Sequence, residues 1–496
     1  MRGGNFHGSA ALALAGALLG GCASMAGIRP AAQPADVNRL NAGHEISNSQ
    51  RADVAWPTAQ WWRAYDDAQL DALVAKAVAG NPRLAQAINR IAGARAAANG
   101  VRAATLPGVK AQGSFIDSRF SENQFFPPPY GGNSFWNNDA ELDLSYDLDL
   151  WGRNRSALAA ALDAVQIASA EAQQARLALE GAVVRSYADL SYQFDLKDNL
   201  NAILGDEKQS YDIAHRRRVA GLGSELEEAQ AQTAISATEA QMEQVEARMA
   251  ILRHQLAALS GGGPGDGDAF ARPALHFDAT AVLPGNIPAH LLGRRPDIVA
   301  QRWRVERAAR GIDVAKASFY PDINLTAFAG LLSLGFSQFL STTSTNTGIG
   351  PAISLPVFDG GRLRAGLQAS TAEYDSAVHA YDATLIGALN EVADRIAELR
   401  SLAVQAQKRG TALAAAERAH ELALKAFRGG LTDYLNVLST ESALNAERGL
   451  LAEIHFHQAV SAAALNVALG GGYIENPGPA AASSTTAQKT TPGAPP

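Results

Sequence analysis

Two long proline-free runs, from Tyr130 to Gly263 and from Val357 to Asn476, carry the same glycine punctuation in the same order. Gly152-Arg153-Asn154-Arg155 aligns with Gly361-Arg362-Leu363-Arg364, Gly221-Leu222 with Gly430-Leu431, and Gly261-Gly262 with Gly470-Gly471. Each pair lies 209 residues apart (361 − 152, 430 − 221, 470 − 261). A second echo precedes each run: Asn81-Pro82-Arg83-Leu84 with Arg295-Pro296-Asp297-Ile298, and Leu106-Pro107 with Tyr320-Pro321, at a spacing of 214. Punctuation held in register over such a distance predicts an internal two-fold repeat, which favours a pseudo-symmetric architecture over a catalytic domain with a lid. Each half reads as a helix, a proline stop, a strand hairpin and then very long helices, with Gly261-Gly262-Gly263-Pro264-Gly265 as a joint between the halves.

Helices of such length do not fit a compact globule. At 1.5 Å per residue, a helix from about Arg155 to Ala220 would be roughly 100 Å long, which indicates a coiled-coil or tubular body. In the second copy Leu431, Leu435, Leu438, Ser442, Asn445, Gly449, Ala452 and Phe456 step by four and three. In the first, Leu222, Leu226, Ala229, Thr233, Ser236 and Ala240 do the same, and both rows are expected to be coiled-coil seams. The helices reverse at Ala220-Gly221-Leu222-Gly223-Ser224 and at Gly429-Gly430-Leu431-Thr432-Asp433, where glycine supplies a left-handed cap and Ser224 or Asp433 the next N-cap.

The strands carry the other half of the reading. From Ala140 to Leu150 apolar and polar residues alternate without a break. That places Leu142, Leu144, Tyr146, Leu148 and Leu150 on one face and the acids Glu141, Asp143, Asp147 and Asp149 on the other. The pattern fits a tilted transmembrane strand with lipid on one side and water on the other; the alternative is the edge strand of a soluble sheet. Partner strands are expected at about Lys110 to Phe120, Ile323 to Leu332 and Ile349 to Phe358, with Pro351 and Pro356 at a strand end or bulge. Ser121 to Asn138 and Ser333 to Thr347 read as outward loops. Four strands cannot close a membrane barrel, and an open sheet edge is not tolerated in lipid, so other subunits must complete it.

The N-terminus has Arg2 as a small positive region, an apolar stretch from Ala10 to Gly20, and Leu19-Gly20-Gly21-Cys22 ahead of the only cysteine. This resembles a bacterial lipoprotein signal, with Cys22 as the acylated first residue of the mature chain; the alternative is an ordinary signal peptide and an incidental cysteine. Lipoprotein sorting adds that Ala23, in place of an aspartate, favours the outer membrane. The apolar stretch is too short to span a bilayer as a helix.

Together the cysteine signal, Tyr146-Asp147-Leu148-Asp149-Leu150-Trp151-Gly152-Arg153, its counterpart Leu355-Pro356-Val357-Phe358-Asp359-Gly360-Gly361-Arg362, and the turn Gly430-Leu431-Thr432-Asp433-Tyr434-Leu435-Asn436-Val437-Leu438 resemble the TolC-type outer membrane factors. Within them the chain is most similar to the lipoprotein branch that includes NodT and OprM. The resemblance implies an α+β membrane protein: an antiparallel α-helical coiled-coil barrel continuing into a transmembrane β-barrel completed by trimerisation. It implies twelve strands and twelve helices in the homotrimer. It further implies the exit duct of a tripartite efflux system, joined by a periplasmic adaptor to an inner-membrane transporter; a resistance-nodulation-division pump is expected there, with a major-facilitator or aromatic-acid exporter as the alternatives. The turns Gly221, Leu222, Gly223, Ser224 and Gly430, Leu431, Thr432, Asp433 are where the family meets the adaptor. The signal and motifs favour small toxic compounds as cargo and a lipid anchor in the outer membrane of a Gram-negative bacterium, with the chain extending into the periplasm. A type I secretion duct and a lipid-tethered periplasmic coiled-coil protein are the alternatives.

The implied organisation is a signal at residues 1–21, an equatorial segment at 22–66, repeat one at 67–259 with its strand hairpin at 110–150, and a linker at 260–288. Repeat two follows at 289–469 with its hairpin at 323–358, then a C-terminal segment and disordered tail at 470–496. In the OprM-like pattern a leucine, an aspartate and an arginine narrow the pore after the second turn; here the matching residues are Leu435, Ser439 and Ser442. The apolar ring is kept and the acidic one lost, so closure is expected from Leu435 with Tyr434, against ordinary seam packing as the alternative.

Other signals point elsewhere less strongly. His215-Arg216-Arg217-Arg218 is expected to complement a helix C-terminus or to contact a partner. His420-Glu421, His455 with His457, and Asp266-Gly267-Asp268 each lack the remainder of a metal motif. No nucleophile, phosphate loop or carboxylate pair indicates an enzyme, no cofactor is expected beyond covalent lipid on Cys22, and a net charge of −7 without a basic field argues against nucleic acid.

Overall fold

The computed structural model describes residues 24–41, 43–51, 55–123, 125, 127–276, 283–284 and 287–475. Cys22, the expected lipidation site, Phe126 of the first loop and the tail after Glu475 lie outside the described residues. In chain order the elements are α1 (Gly43–Ser49), β1 (Gln50–Arg51), α2 (Ala68–Gly80), α3 (Pro82–Ala103), β2 (Gly108–Arg119) and β3 (Ser134–Asp147). Then come α4 (Arg153–Val219), α5 (Glu225–Leu259), β4 (Leu283–Pro284), α6 (Ile287–Arg294) and α7 (Pro296–Ala317). Last are β5 (Asp322–Leu334), β6 (Thr345–Ser354), α8 (Arg362–Arg428) and α9 (Tyr434–Ala468).

Element lengths agree pair by pair: α3 and α7 have 22 residues, α4 and α8 have 67, α5 and α9 have 35. The starts of the long helices are 209 residues apart (362 − 153 and 434 − 225), and those of α3 and α7 are 214 apart (296 − 82). Proline at the first position of α3 and α7 removes a donor that the helix start leaves unpaired anyway. Among the described residues no helix is long and apolar enough to cross a membrane.

The chain forms two compact units, each drawing on both halves of the sequence: residues up to Pro34 with Arg90–Ala168 and Gln301–Asp382, and Ala35–Asn89 with Ser169–Ala300 and from Ala383 onward. The first unit contains an antiparallel sheet in the order β2-β3-β5-β6. Leu142 faces Ala111 and Ala329, Leu144 faces Val109 and Ala327, and Ala327 faces Ile349. Because strand side chains alternate, this register places Val109, Leu142, Leu144, Leu325, Ala327 and Ile349 on one face and Lys110, Gln112, Glu141, Asp143 and Asn324 on the other, where Phe328 and Leu332 are interspersed among them. Each outer strand, β2 and β6, has one neighbour within the chain.

The sheet corrects several boundaries. The strand expected from Ala140 to Leu150 runs instead from Ser134 to Asp147, because Phe135 and Trp136 still pair with Ser118 and Asp117. It stops before Asp149, whose backbone turns left-handed (φ 44°) and whose carboxylate accepts from the backbone N–H of Asn154 and Arg155, both at 2.9 Å. Asp149 therefore caps α4 and does not share the polar strand face. Asp147 is bound locally as well, accepting from Arg153 Nη2 and Asn154 Nδ2 at 2.8 Å each. The last strand ends at Ser354, so Val357 and Phe358 lie beyond it, and Pro351 sits inside a strand rather than at its end. Proline has no N–H, so this position opposite Leu325 supplies no ladder donor. Past β5, Phe336 folds against Phe115 and Trp136, at ring separations of 6.0 and 5.4 Å.

The second unit holds the principal core. Trp61, Trp62, Tyr65, Leu70 and Val74 pack with Val183, Val184, Tyr187 and Leu190 of α4, Leu252 and Leu256 of α5, and Ala459 and Ala463 of α9. Each fully buried aliphatic side chain contributes about 1.5–3 kcal/mol. The two tyrosine hydroxyls of this core are satisfied: Tyr65 donates to Ala459 O and Tyr187 to Asp67 Oδ2, both at 2.9 Å. The two sequence echoes meet here. Asn81 Nδ2 donates to Leu259 O at 2.9 Å, and Arg295 Nη1 to Ala468 O at 2.8 Å. A Cβ on Gly261 would stand 2.2 Å from Gly80 O, and one on Gly470 would stand 1.9 Å from Arg294 O, so this junction requires glycine.

Candidate functional site

The two helix reversals share one backbone. Leu222 N donates to Arg217 O (2.8 Å) and Gly221 N to Arg218 O (2.9 Å); Leu431 N donates to Ala426 O (2.9 Å) and Gly430 N to Phe427 O (3.0 Å). This double bond pattern closes a helix through a left-handed residue, and Gly221 and Gly430 have φ of 71° and 70°. Ser224 Oγ then accepts from Glu227 N at 3.3 Å and Asp433 Oδ1 from Asn436 N at 3.2 Å, starting the return helices as the sequence predicts. Gly223 lies close to Arg217, and Thr432 Oγ1 accepts from Asn436 Nδ2 at 2.6 Å.

Leucines project from both turns. Leu222 is 72% and Leu431 84% exposed; one helical turn on, Leu226 is 65% and Leu435 60% exposed. Ser439 and Ser442 are exposed too, so with Leu435 they form one open face of α9 at positions i, i+4 and i+7. Tyr434 corrects its assigned role: at 3% exposure it packs inside the chain and does not share a constriction with Leu435. The expected seams are also corrected. The buried residues of α9 near the turn are Tyr434, Val437, Glu441 and Leu444, and those of α5 include Ala231, Ile235 and Thr238. The row from Leu222 to Ala240 faces outward throughout, whereas in the second row Leu431, Leu435 and Ser442 face outward and Leu438 and Phe456 pack partly inside the chain.

Beneath the first turn lies an ionic clamp. Glu228 Oε1 is 2.7 Å from His215 Nδ1 and accepts from Tyr211 Oη at 3.2 Å, while Arg218 pairs with its other oxygen. The His215 hydrogen bond, reinforced by Arg218, holds the Glu228 carboxyl below the usual range. Arg217 donates to Leu222 O at 3.3 Å, and its guanidinium sits 5.5 Å from the Phe427 ring centre, joining the two hairpins. The basic run thus bonds within the protein.

Beneath the second turn, Phe427, Tyr434, Val437 and Ala231 form an apolar cluster, with Phe427 and Tyr434 rings 5.7 Å apart. Next to it lies Glu441, 4% exposed, with neither carboxylate oxygen hydrogen-bonded. Burial pushes its carboxyl up to about 7, and Asp206 and Glu207 of α4 add to the shift. Glu207, raised mainly by burial, accepts from Thr238 Oγ1 at 3.0 Å through one oxygen and has no partner for the other. Glu441 is not among the residues singled out from the sequence. The available signal was its spacing, three and seven residues from Leu444 and Tyr434, which puts an acid on the apolar stripe.

The remaining strand acids stay on the polar face, where Glu141 accepts from Gln112 Nε2 at 2.6 Å and Asp143 pairs with Lys110 across the ladder. Among the described residues no three His, Cys, Asp or Glu converge to hold a metal ion.

A two-faced strand sheet together with paired helical hairpins of this length defines a subunit of an outer-membrane channel. The chain belongs to the outer membrane efflux protein family, whose model matches residues 73–262 and 287–471. It is 44% identical over 358 residues to the fusaric acid resistance protein FusA of Burkholderia cepacia, covering 72% of this chain and 67% of that one. It is 31% identical over 441 residues to the multidrug resistance outer membrane protein MdtP of Escherichia coli K12, covering 86% and 89%. Among solved structures it is similar to VceC of Vibrio cholerae (32% identity, TM-score 0.79, 84% of this chain and 100% of that one). It is also similar to the outer-membrane channel OprN (27%, 0.80, 91% and 99%). The protein is an efflux channel of the outer membrane, serving as an exit duct.

Proposed function

We propose that three copies assemble so that four strands from each close a twelve-stranded transmembrane barrel and the paired hairpins of each form a helical tunnel. The observation that carries this is the sheet: one apolar face, one polar face and two edges without a partner in the chain. Unpaired backbone groups at those edges cost several kcal/mol each in lipid, and pairing β2 of one copy with β6 of the next removes that cost. The Trp136, Phe115 and Phe336 cluster then forms part of an interfacial aromatic girdle.

The outward leucines follow from the same assembly, as they meet neighbouring hairpins or the lumen. Leu435 forms the narrowest apolar ring, with Ser439 and Ser442 behind it, and the turns at Gly221–Ser224 and Gly430–Asp433 receive the helical hairpin of a periplasmic adaptor. A resistance-nodulation-division transporter supplies the energy, and Cys22 carries a lipid that tethers the chain to the outer membrane. The roles named for FusA and MdtP, fusaric acid and multidrug resistance, extend here to export of small toxic compounds. The test is native mass spectrometry of the purified membrane protein. A trimer is expected; a monomer under conditions that preserve related trimers would sink the assembly.

A further inference from the structure

The carboxylate between the hairpins lies on the apolar stripe of α9, between Val437 and Leu444. Glu441 is almost fully buried, and neither oxygen has a hydrogen-bond partner. The charged and titratable groups bearing on it are Asp206 and Glu207 from α4 and Tyr434 on its own helix. Glu207 is in turn faced by Glu239 of α5, whose carboxylate is paired with Lys208. The ionisable groups that bear on Glu441 are thus all acids, and no cation pairs with it among the described residues. Burying an unpaired charge beside like charges is strongly unfavourable, so the packed hairpins require Glu441 to be neutral. No three ligating side chains converge there to hold a metal ion, among the described residues, which leaves a proton as the neutralising species.

We propose that Glu441 is a proton-binding site that fastens the second hairpin to the first, occupied while the hairpins are packed and emptied when they separate. The upward shift of its carboxyl, to about 7, places the change near neutrality. The sign is that of an acid whose folded value is raised. Stabilisation is complete below the ordinary value of 4.5 and is lost as pH rises through about 7. Resting on the duct reading above, this makes the second hairpin the one that loosens at alkaline pH, freeing the Leu435 ring to move.

The test is hydrogen exchange of the intact oligomer at pH 5.5 and 8.0, corrected for intrinsic rates and read on peptides covering residues 206–211 and 434–444. Protection in the wild type is expected to fall about tenfold or more, since packing tightens proton binding by at least that factor when a carboxyl rises from 4.5 to about 7. In Glu441→Gln protection should stay high and flat with pH. In Glu207→Gln, which removes one neighbouring charge, the fall should shrink. A wild type without the fall, or a fall of equal size in both variants, would overturn the proton site. Conductance recorded on the same preparation separates the two readings: the expected exchange behaviour without any channel would remove the duct and leave the proton site standing.

Discussion

The first and second hairpin turns have the same backbone and opposite chemistry. At positions 209 residues apart, Arg218 corresponds to Phe427, Glu225 to Tyr434, Glu228 to Val437 and Gln232 to Glu441. Where the first turn places an ionic clamp at its rim, the second places an aromatic and aliphatic cluster over a buried acid. What stays constant is the left-handed glycine, the capping residue and the outward leucines Leu222 with Leu431 and Leu226 with Leu435. Backbone punctuation therefore fixes the presented surface, while the residues beneath it set how firmly each turn is held and under which conditions it loosens.

The largest contrast is expected in truncation of the paired positions. Tyr434→Ala should destabilise the second hairpin by about 3–5 kcal/mol through loss of a buried aromatic. The equivalent Glu225→Ala should stay within about 0.5 kcal/mol, since that side chain is exposed. Chemical denaturation followed by exchange at each turn measures both, and equal losses would break the comparison.

Acid should separate the turns next. Glu228 has a lowered carboxyl, so its contribution is present above the ordinary value of 4.5 and is lost as pH falls below it. Glu441 behaves in the opposite sense, gaining as pH falls from about 7 toward 4.5. Exchange profiles at pH 4, 6 and 8 should therefore cross, the first turn being weakest in acid and the second weakest in base. Parallel profiles would contradict the assignment.

Salt supplies a finer probe. Raising ionic strength should loosen the first turn through the Arg218–Glu228 pair and leave the second unchanged, because exposed ion pairs are screened and apolar contacts are not. The smallest difference is expected where the backbone is shared: Gly221→Ala and Gly430→Ala should each cost about 1 kcal/mol, and equally, since both force a side chain into a left-handed conformation.

Much of this was legible in the sequence because it depends on local chemistry. Glycine followed within three residues by Ser224 or Asp433 specifies a helix stop and restart wherever the chain goes, and both turns fall where that pattern puts them. Strand pairing was legible through alternation, but the end of β3 was not. Alternation continues to Leu150, whereas the carboxylate of Asp149 is recruited by two backbone donors of α4. The buried stripe was misplaced because leucine was taken as the marker of the interior. In α9 the interior at this level is Tyr434, Val437 and Glu441, and Leu435 faces out. The spacing of Glu441 marks it as an acid on the apolar stripe, but its acidic surroundings are not legible, since Asp206 and Glu207 lie on a helix more than two hundred residues earlier in the chain.

Single-channel conductance in a planar bilayer tests the central claim most directly, with wild type compared against Leu435→Ala and Ser439→Asp. The exit duct predicts a small, mostly closed conductance that rises clearly when the exposed Leu435 is truncated, and a cation dependence that appears only in Ser439→Asp. A correctly oligomeric preparation that conducts in none of the three would contradict it.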